Sequence, residues 1–175
     1  MNMLTKTALP ILLTMLLNFS SCEIMMDYVD EPASQEVSYF TLDADIEKLA
    51  ENIQQAFDAK DCEALKDLFS DKSKALPDLD EQIQVAFDLY KGEMLSYDDS
   101  RSICRGKGGY VEKGKTIRAN ASGQIKDAVT SADRSYDFYF YCHTVSEYKG
   151  KEGISELTIT DNQSGEEVVV GEYYK

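Results

Sequence analysis

The segment Gly109-Tyr110-Val111-Glu112-Lys113-Gly114-Lys115-Thr116 fits the pattern G-x-x-x-x-G-K-[ST]. In that pattern successive backbone amides wrap phosphates at the start of a helix. The residues that follow, Thr116-Ile117-Arg118-Ala119-Asn120-Ala121, bring a β-branched pair and no helix start, and no later apolar strand ends in an Asp that would hold magnesium. The segment is therefore expected to be a hairpin with Lys113-Gly114 at its turn, and no nucleotide or other cofactor is expected.

A second chemistry-bearing stretch is Tyr136-Asp137-Phe138-Tyr139-Phe140-Tyr141-Cys142-His143. Read as a strand, it splits by parity. Tyr136, Phe138, Phe140 and Cys142 form the more apolar face, expected to meet the helices and to line a small-molecule site if the interior holds one. Asp137, Tyr139, Tyr141 and His143 form the other face, expected to point outward. A row of exposed aromatics is uncommon on a monomer, so Tyr139, Tyr141 and His143 are expected to contact a partner, such as an envelope protein or a second copy through the sheet.

His143 is the only histidine. Cys142 beside it points the other way, so the two cannot share a metal, and no metal site is expected. Asp137 and His143 lie about 20 Å apart along the strand, too far for an acid–base pair. Catalysis inside the fold would rest on Tyr136 and Cys142, with Tyr90 or Tyr110 as further proton donors. Convergent acid and base residues are lacking, so a non-catalytic role is the leading expectation.

Charge narrows the partners. The chain of 175 residues carries a formal net charge of −14, with no surplus of Lys and Arg to neutralise nucleic-acid phosphates. Residues 23–100 hold 21 acidic and 6 basic side chains, whereas residues 101–175 hold 11 of each. The basic group Arg101, Arg105, Lys107, Lys113, Lys115 and Arg118 reads as a solvated hairpin whose charge blunts an edge strand. The pairs Asp43/Asp45 and Asp78/Asp80 suit helix N-termini, and Asp98/Asp99 lacks the loop that calcium requires.

These groups need a frame. Ile46, Leu49, Ala50, Ile53 and Phe57 recur at helical spacing, with Asp43 as the expected cap. A short helix follows the Asp61 cap, burying Cys62, Leu65, Leu68 and Phe69. A third, from Pro77 or Asp78, presents Leu79, Ile83, Ala86, Phe87 and Tyr90, with Gly92 closing it. The period then changes to two, with strands expected over 94–97, 102–111, 115–121, 124–130, 136–145, 154–160 and 167–173. Helices followed by an antiparallel meander define an α+β domain over residues 41–175.

The N-terminus reads as an address. Lys6 precedes an apolar run from Ala8 to Leu17, too short to span a bilayer comfortably, and Ser20-Ser21 then precede Cys22. With Phe19 where the motif usually has Leu, this resembles the lipobox of bacterial lipoproteins. The resemblance implies a signal peptide over 1–21, a lipidated Cys22 and an extracytoplasmic, membrane-anchored product. Residues 22–40 read as an acidic tether. Cys62, Cys104 and Cys142 then remain, an odd set that permits at most one internal disulfide.

The run Ala59-Lys60-Asp61-Cys62-Glu63-Ala64-Leu65-Lys66-Asp67-Leu68-Phe69-Ser70 resembles the second helix of nuclear transport factor 2-like domains. Leu79-Asp80-Glu81-Gln82-Ile83, Tyr97-Asp98-Asp99-Ser100 and Gly153-Ile154 are similar to a family of uncharacterised bacterial lipoproteins within that superfamily. The resemblance implies a cone-shaped, cystatin-like fold with helices on a strongly bent sheet, and no particular activity. Taken together, the chain is expected to be a lipid-anchored binding or assembly module. The competing expectation is a hydrolase, isomerase or dehydratase using the cone cavity.

Overall fold

A computed structural model describes residues 39–99 and 101–174. The expected signal peptide, the lipidation site Cys22 and residues 22–38 of the expected tether lie outside the described residues; Tyr39 and Phe40, also expected in the tether, begin the first helix instead. Helix α1 (Tyr39–Ala59) buries Ile46, Ala50, Ile53 and Phe57 of the stripe anticipated from spacing, leaves Leu49 only partly buried, and adds Leu42 to the core. It begins earlier than expected. Asp43 therefore lies inside the helix rather than at its cap, and its carboxylate instead reaches Lys107 at 2.5 Å.

Helix α2 (Cys62–Asp67) starts as expected, with the Asp61 carboxylate accepting from the Ala64 amide at 3.0 Å. A further short helix, α3 (Asp71–Lys74), is capped by Ser70. Helix α4 (Leu79–Leu89) buries Leu79, Ile83, Ala86 and Phe87. The chain turns extended at Tyr90, so this helix ends ahead of Gly92, the residue expected to close it.

The rest is a six-stranded sheet, every strand pair antiparallel. Its strands are β1 (Met94–Ser96), β2 (Cys104–Glu112), β3 (Lys115–Thr130), β4 (Ser135–Ser146), β5 (Gly153–Asp161) and β6 (Glu167–Gly171), ordered β1-β3-β4-β5-β6, with β2 also paired to β3. The class is α+β. Strands 115–121 and 124–130, expected separately, are one strand: Gly123 does not break it but makes room for Phe140, whose ring carbons would lie 2.1–2.7 Å from a Cβ there.

Two further contacts set the geometry. An irregular pairing between Ile125 and Ala128 leaves Asp127 at φ 50°, a β-bulge that turns β3. The loop between α2 and α3 docks directly on β5, with Ser70 N–H donating to the Ile154 carbonyl and Ile154 N–H to the Leu68 carbonyl, each at 2.9 Å. Gly153 permits this approach: at φ 114° any Cβ would lie 2.7 Å from the Ser70 nitrogen. The core joins the buried stripes of α1 and α4 to Phe138, Phe140, Leu157 and Ile159 of the sheet.

Candidate functional site

The apolar face of β4 is occupied by its own side chains. Tyr136, Phe138 and Phe140 are 0% exposed and Cys142 1%. Phe57 meets Phe138, Phe87 and Tyr90 edge-on at 5.0–5.4 Å, and Tyr90 lies 5.0 Å from Tyr136. The four residues expected to line a ligand site thus belong to the buried hydrophobic core.

The polar groups at this end are engaged in holding the frame. Tyr90 Oη donates to Asp58 Oδ1 at 2.7 Å, and the Met94 amide donates to the same oxygen at 2.9 Å. Burial and the Asp58 carboxylate hold the Tyr90 hydroxyl well above the ordinary phenol range. Tyr136 Oη donates to the Leu89 carbonyl and accepts from the Lys91 amide, each at 3.0 Å. The Lys60 ammonium donates to the carbonyls of Phe87 and Tyr90, and burial lowers its pKa. Sequence reasoning missed Asp58 and Lys60, since both partners lie some 30 positions away. Tyr110, expected as a further proton donor, is instead 54% exposed on β2, away from this network.

The opposite face of the sheet is open and polar. Gln124 on β3, Tyr139 on β4 and Thr158 on β5 share one cross-strand row; Asp137 on β4, Thr160 on β5 and Glu167 on β6 share the next. With strands about 4.8 Å apart, each row runs roughly 10 Å across the sheet, and the two together span about 14 Å from β3 to β6. Together with Lys126 and Arg105 they line a groove of about 300 Å³. Tyr139, 38% exposed, is the aromatic in this groove, and the Arg105 guanidinium lies 5.5 Å from its ring centroid.

Asp137 fixes the middle of the groove. Its carboxylate pairs with Lys126 and accepts from the Asp127 amide at 2.9 Å and from Asn162 Nδ2 at 3.1 Å, tying the β3 bulge and the β5–β6 turn to β4. Burial would raise its pKa, but these donors together lower it, Lys126 foremost. The anionic form is therefore retained at neutral pH.

His143 corrects the outward-facing expectation. It lies on the same face as Tyr141, the rings 5.5 Å apart, yet it is only 2% exposed. The chain after β6 crosses this face: Tyr173 sits 4.8 Å from Tyr141, and Tyr174 stacks on His143 at 5.7 Å with planes 6° apart. Tyr174 is itself held by a hydroxyl contact with Ser70 and by the Lys72 ammonium 4.0 Å from its ring. Neither imidazole nitrogen has a hydrogen-bond partner among the described residues. Burial lowers the His143 pKa and the charges of Lys151 and Arg118 lower it further; the Tyr174 backbone draws it partly back without closing a hydrogen bond.

The phosphate-loop pattern folds as the anticipated hairpin. Val111 pairs with Thr116 and Glu112 with Lys115, while Lys113 and Gly114 adopt φ 49° and 73°, the left-handed pair of a type I′ turn. Cys62, Cys104 and Cys142 are free thiols, and burial pushes Cys142 up to about 12. Among the described residues no cluster of three His, Cys, Asp or Glu side chains could hold a metal ion. No helix among them is long and apolar enough to cross a membrane.

Fold and surface define an α+β domain with one packed and one grooved sheet face. A family described as Domain of unknown function (DUF5104) matches residues 41–162, and the chain belongs to it. No curated protein matches the chain.

Proposed function

We propose that this protein is a lipid-anchored, extracytoplasmic binding module without catalytic activity, and that it binds a small polar molecule in the groove around Tyr139. The observation that carries the reading is the contrast between the two sheet faces. Tyr136, Phe138 and Phe140 leave no exposed surface on one, while the other offers a groove of about 300 Å³ with an aromatic ring, two cations, two carboxylates and two threonine hydroxyls. Such a lining suits a ligand recognised by hydrogen bonds and ring stacking. Helices followed by an antiparallel sheet, together with the resemblances around Asp61 and Gly153, support a nuclear transport factor 2-like cone. Cys22, after its short apolar run, supports the anchor.

The competing reading, a hydrolase, isomerase or dehydratase, is favoured by one observation, the Tyr90–Asp58 contact of 2.7 Å. Against it, Tyr90 is 0% exposed and the same Asp58 oxygen is shared with the Met94 amide.

Native mass spectrometry of the full chain against small-molecule envelope extract separates the readings. A ligand retained by the wild type and lost in Tyr139→Ala and Lys126→Ala supports the groove. A ligand kept by both variants, or one converted to product in a manner abolished by Asp58→Asn, overturns it. The anchor has its own test: Cys22→Ala is expected to lose all labelling by a fatty-acid probe, and equal labelling would refute the assignment.

A further inference from the structure

The two edges of the sheet carry features that fit one another. At the β6 edge, α4 and the strand leave an open groove of about 310 Å³ lined by Asp78, Glu81, Gln82, Val85, Val168 and Val169. Its floor is apolar, with Val85 47% and Val169 42% exposed. Its rim is acidic, and neither Asp78 nor Glu81 forms an ion pair among the described residues. Strand β6 also lacks the usual protection of an edge: Glu167-Val168-Val169-Val170-Gly171 contains no Lys and no Pro. At its end α4 caps this edge, where Gln82 Oε1 accepts from the Gly171 amide at 2.8 Å. By the two-residue alternation of an antiparallel ladder, the Val169 amide and carbonyl also point away from β5.

At the other edge the β2–β3 hairpin presents Tyr110, 54% exposed, and Val111, 43% exposed. Lys113 in its turn and Lys115 just after it are exposed and without an ion pair among the described residues. The turn geometry fixes these side chains relative to one another, so little ordering is lost on docking. Strands β2 and β6 lie four strand spacings apart in one sheet, about 19 Å, so a molecule cannot seat its own hairpin in its own groove.

We propose that the α4–β6 groove receives the β2–β3 hairpin tip of a second copy of this chain. Tyr110 covers Val85 and Val169, and Lys113 and Lys115 face Asp78 and Glu81. Apolar surface is removed from water on both partners, and the charges are complementary. Because tip and groove are different patches, the contact is head-to-tail, so each copy can engage two others and the copies join into a ring or a chain. The groove around Tyr139 adjoins this contact, since Thr158 of that groove pairs with Val169 on β6.

The test uses the full chain, solubilised in mild detergent, with a photoreactive benzophenone side chain in place of Tyr110. Irradiation is expected to give an adduct of twice the chain mass, joined to the peptide containing Val85 or to that containing Val169. Lys113→Glu/Lys115→Glu and, separately, Asp78→Lys/Glu81→Lys are each expected to lower the yield at least fivefold. Mixing the two reversed chains is expected to restore it, since each reversed patch then meets its complement. All four positions are solvent-exposed, so unchanged circular dichroism is the expected control. Absence of the adduct, cross-linking to peptides outside α4 and β6, or a yield indifferent to both reversals would overturn the proposal.

Discussion

Because His143 is the only histidine, it gives the protein one clean titration between the carboxylates and the thiols. Its ring is 2% exposed, unpartnered at both nitrogens, and surrounded by Tyr141, Tyr174 and the cations Lys151 and Arg118. The folded state therefore holds it neutral, with a pKa below that of the unfolded chain. Above about pH 6.5 both states are neutral and the group has no effect on stability. As pH falls below that value, the unfolded chain takes up a proton that the folded protein resists. Stability is then lost at up to about 1.4 kcal/mol per pH unit until the folded pKa is reached. Asp43 and Asp137, both held low, lose their contributions only at more acid pH, below about 4. The perturbation is His143→Phe, which keeps an aromatic ring against Tyr174 and removes the two unsatisfied nitrogens. Urea unfolding at pH 7.5, 6.5, 5.5 and 5 is expected to show the slope in the wild type and a flat profile in the variant. At pH 7 the variant is expected to be more stable by about 1–2 kcal/mol, since two unpaired buried polar atoms are gone. A variant that keeps the wild-type slope, or a folded imidazole that titrates near 6.5 by NMR, would refute the reasoning.

Three further outcomes are expected. Phe140→Ala should cost about 3–5 kcal/mol and Tyr141→Ala less than half as much, measured by chemical denaturation, because only Phe140 is wholly enclosed by the helices and Gly123. Gly153→Ala should cost about 2–3 kcal/mol, since its Cβ meets the Ser70 backbone at a strained φ; a loss under 0.5 kcal/mol would show that the docked loop can retreat. Gly114→Val should lower thermal stability while Lys115→Ala changes it by less than about 0.5 kcal/mol, and calorimetry should detect no ATP or GTP binding to the wild type.

What the sequence revealed follows the range of the forces involved. Helices α1 and α4 were legible because their apolar residues recur at a local period, and the Lys113-Gly114 turn because left-handed φ values restrict residue type locally. Asp43 looked like a cap because the cap rule is local; its actual partner, Lys107, belongs to β2. Strands 115–121 and 124–130 were read apart, whereas Gly123 between them lies inside one strand, and the ring that requires it comes from β4. Parity placed His143 on the correct face but could not show that Tyr173 and Tyr174 return to cover it. Tyr139 was singled out from the strand alone. The groove around it was not, because Gln124, Thr158 and Glu167 reach it only through the register of four strands.

Asp137 shows how the two faces depend on each other. Its neighbours in sequence, Tyr136 and Phe138, lock β4 into the core by ring contacts, so the position and direction of the carboxylate are set from the packed side. From there it binds Lys126 and the Asp127 amide, holding a bulge whose left-handed residue would otherwise be unfavourable. The same carboxylate restrains Asn162 in the β5–β6 turn, next to the strand that carries Glu167. A groove on rigid strands, with its central charge already paired and its walls tied together, needs little rearrangement to receive a ligand. The packed face is thus what keeps the open one in shape.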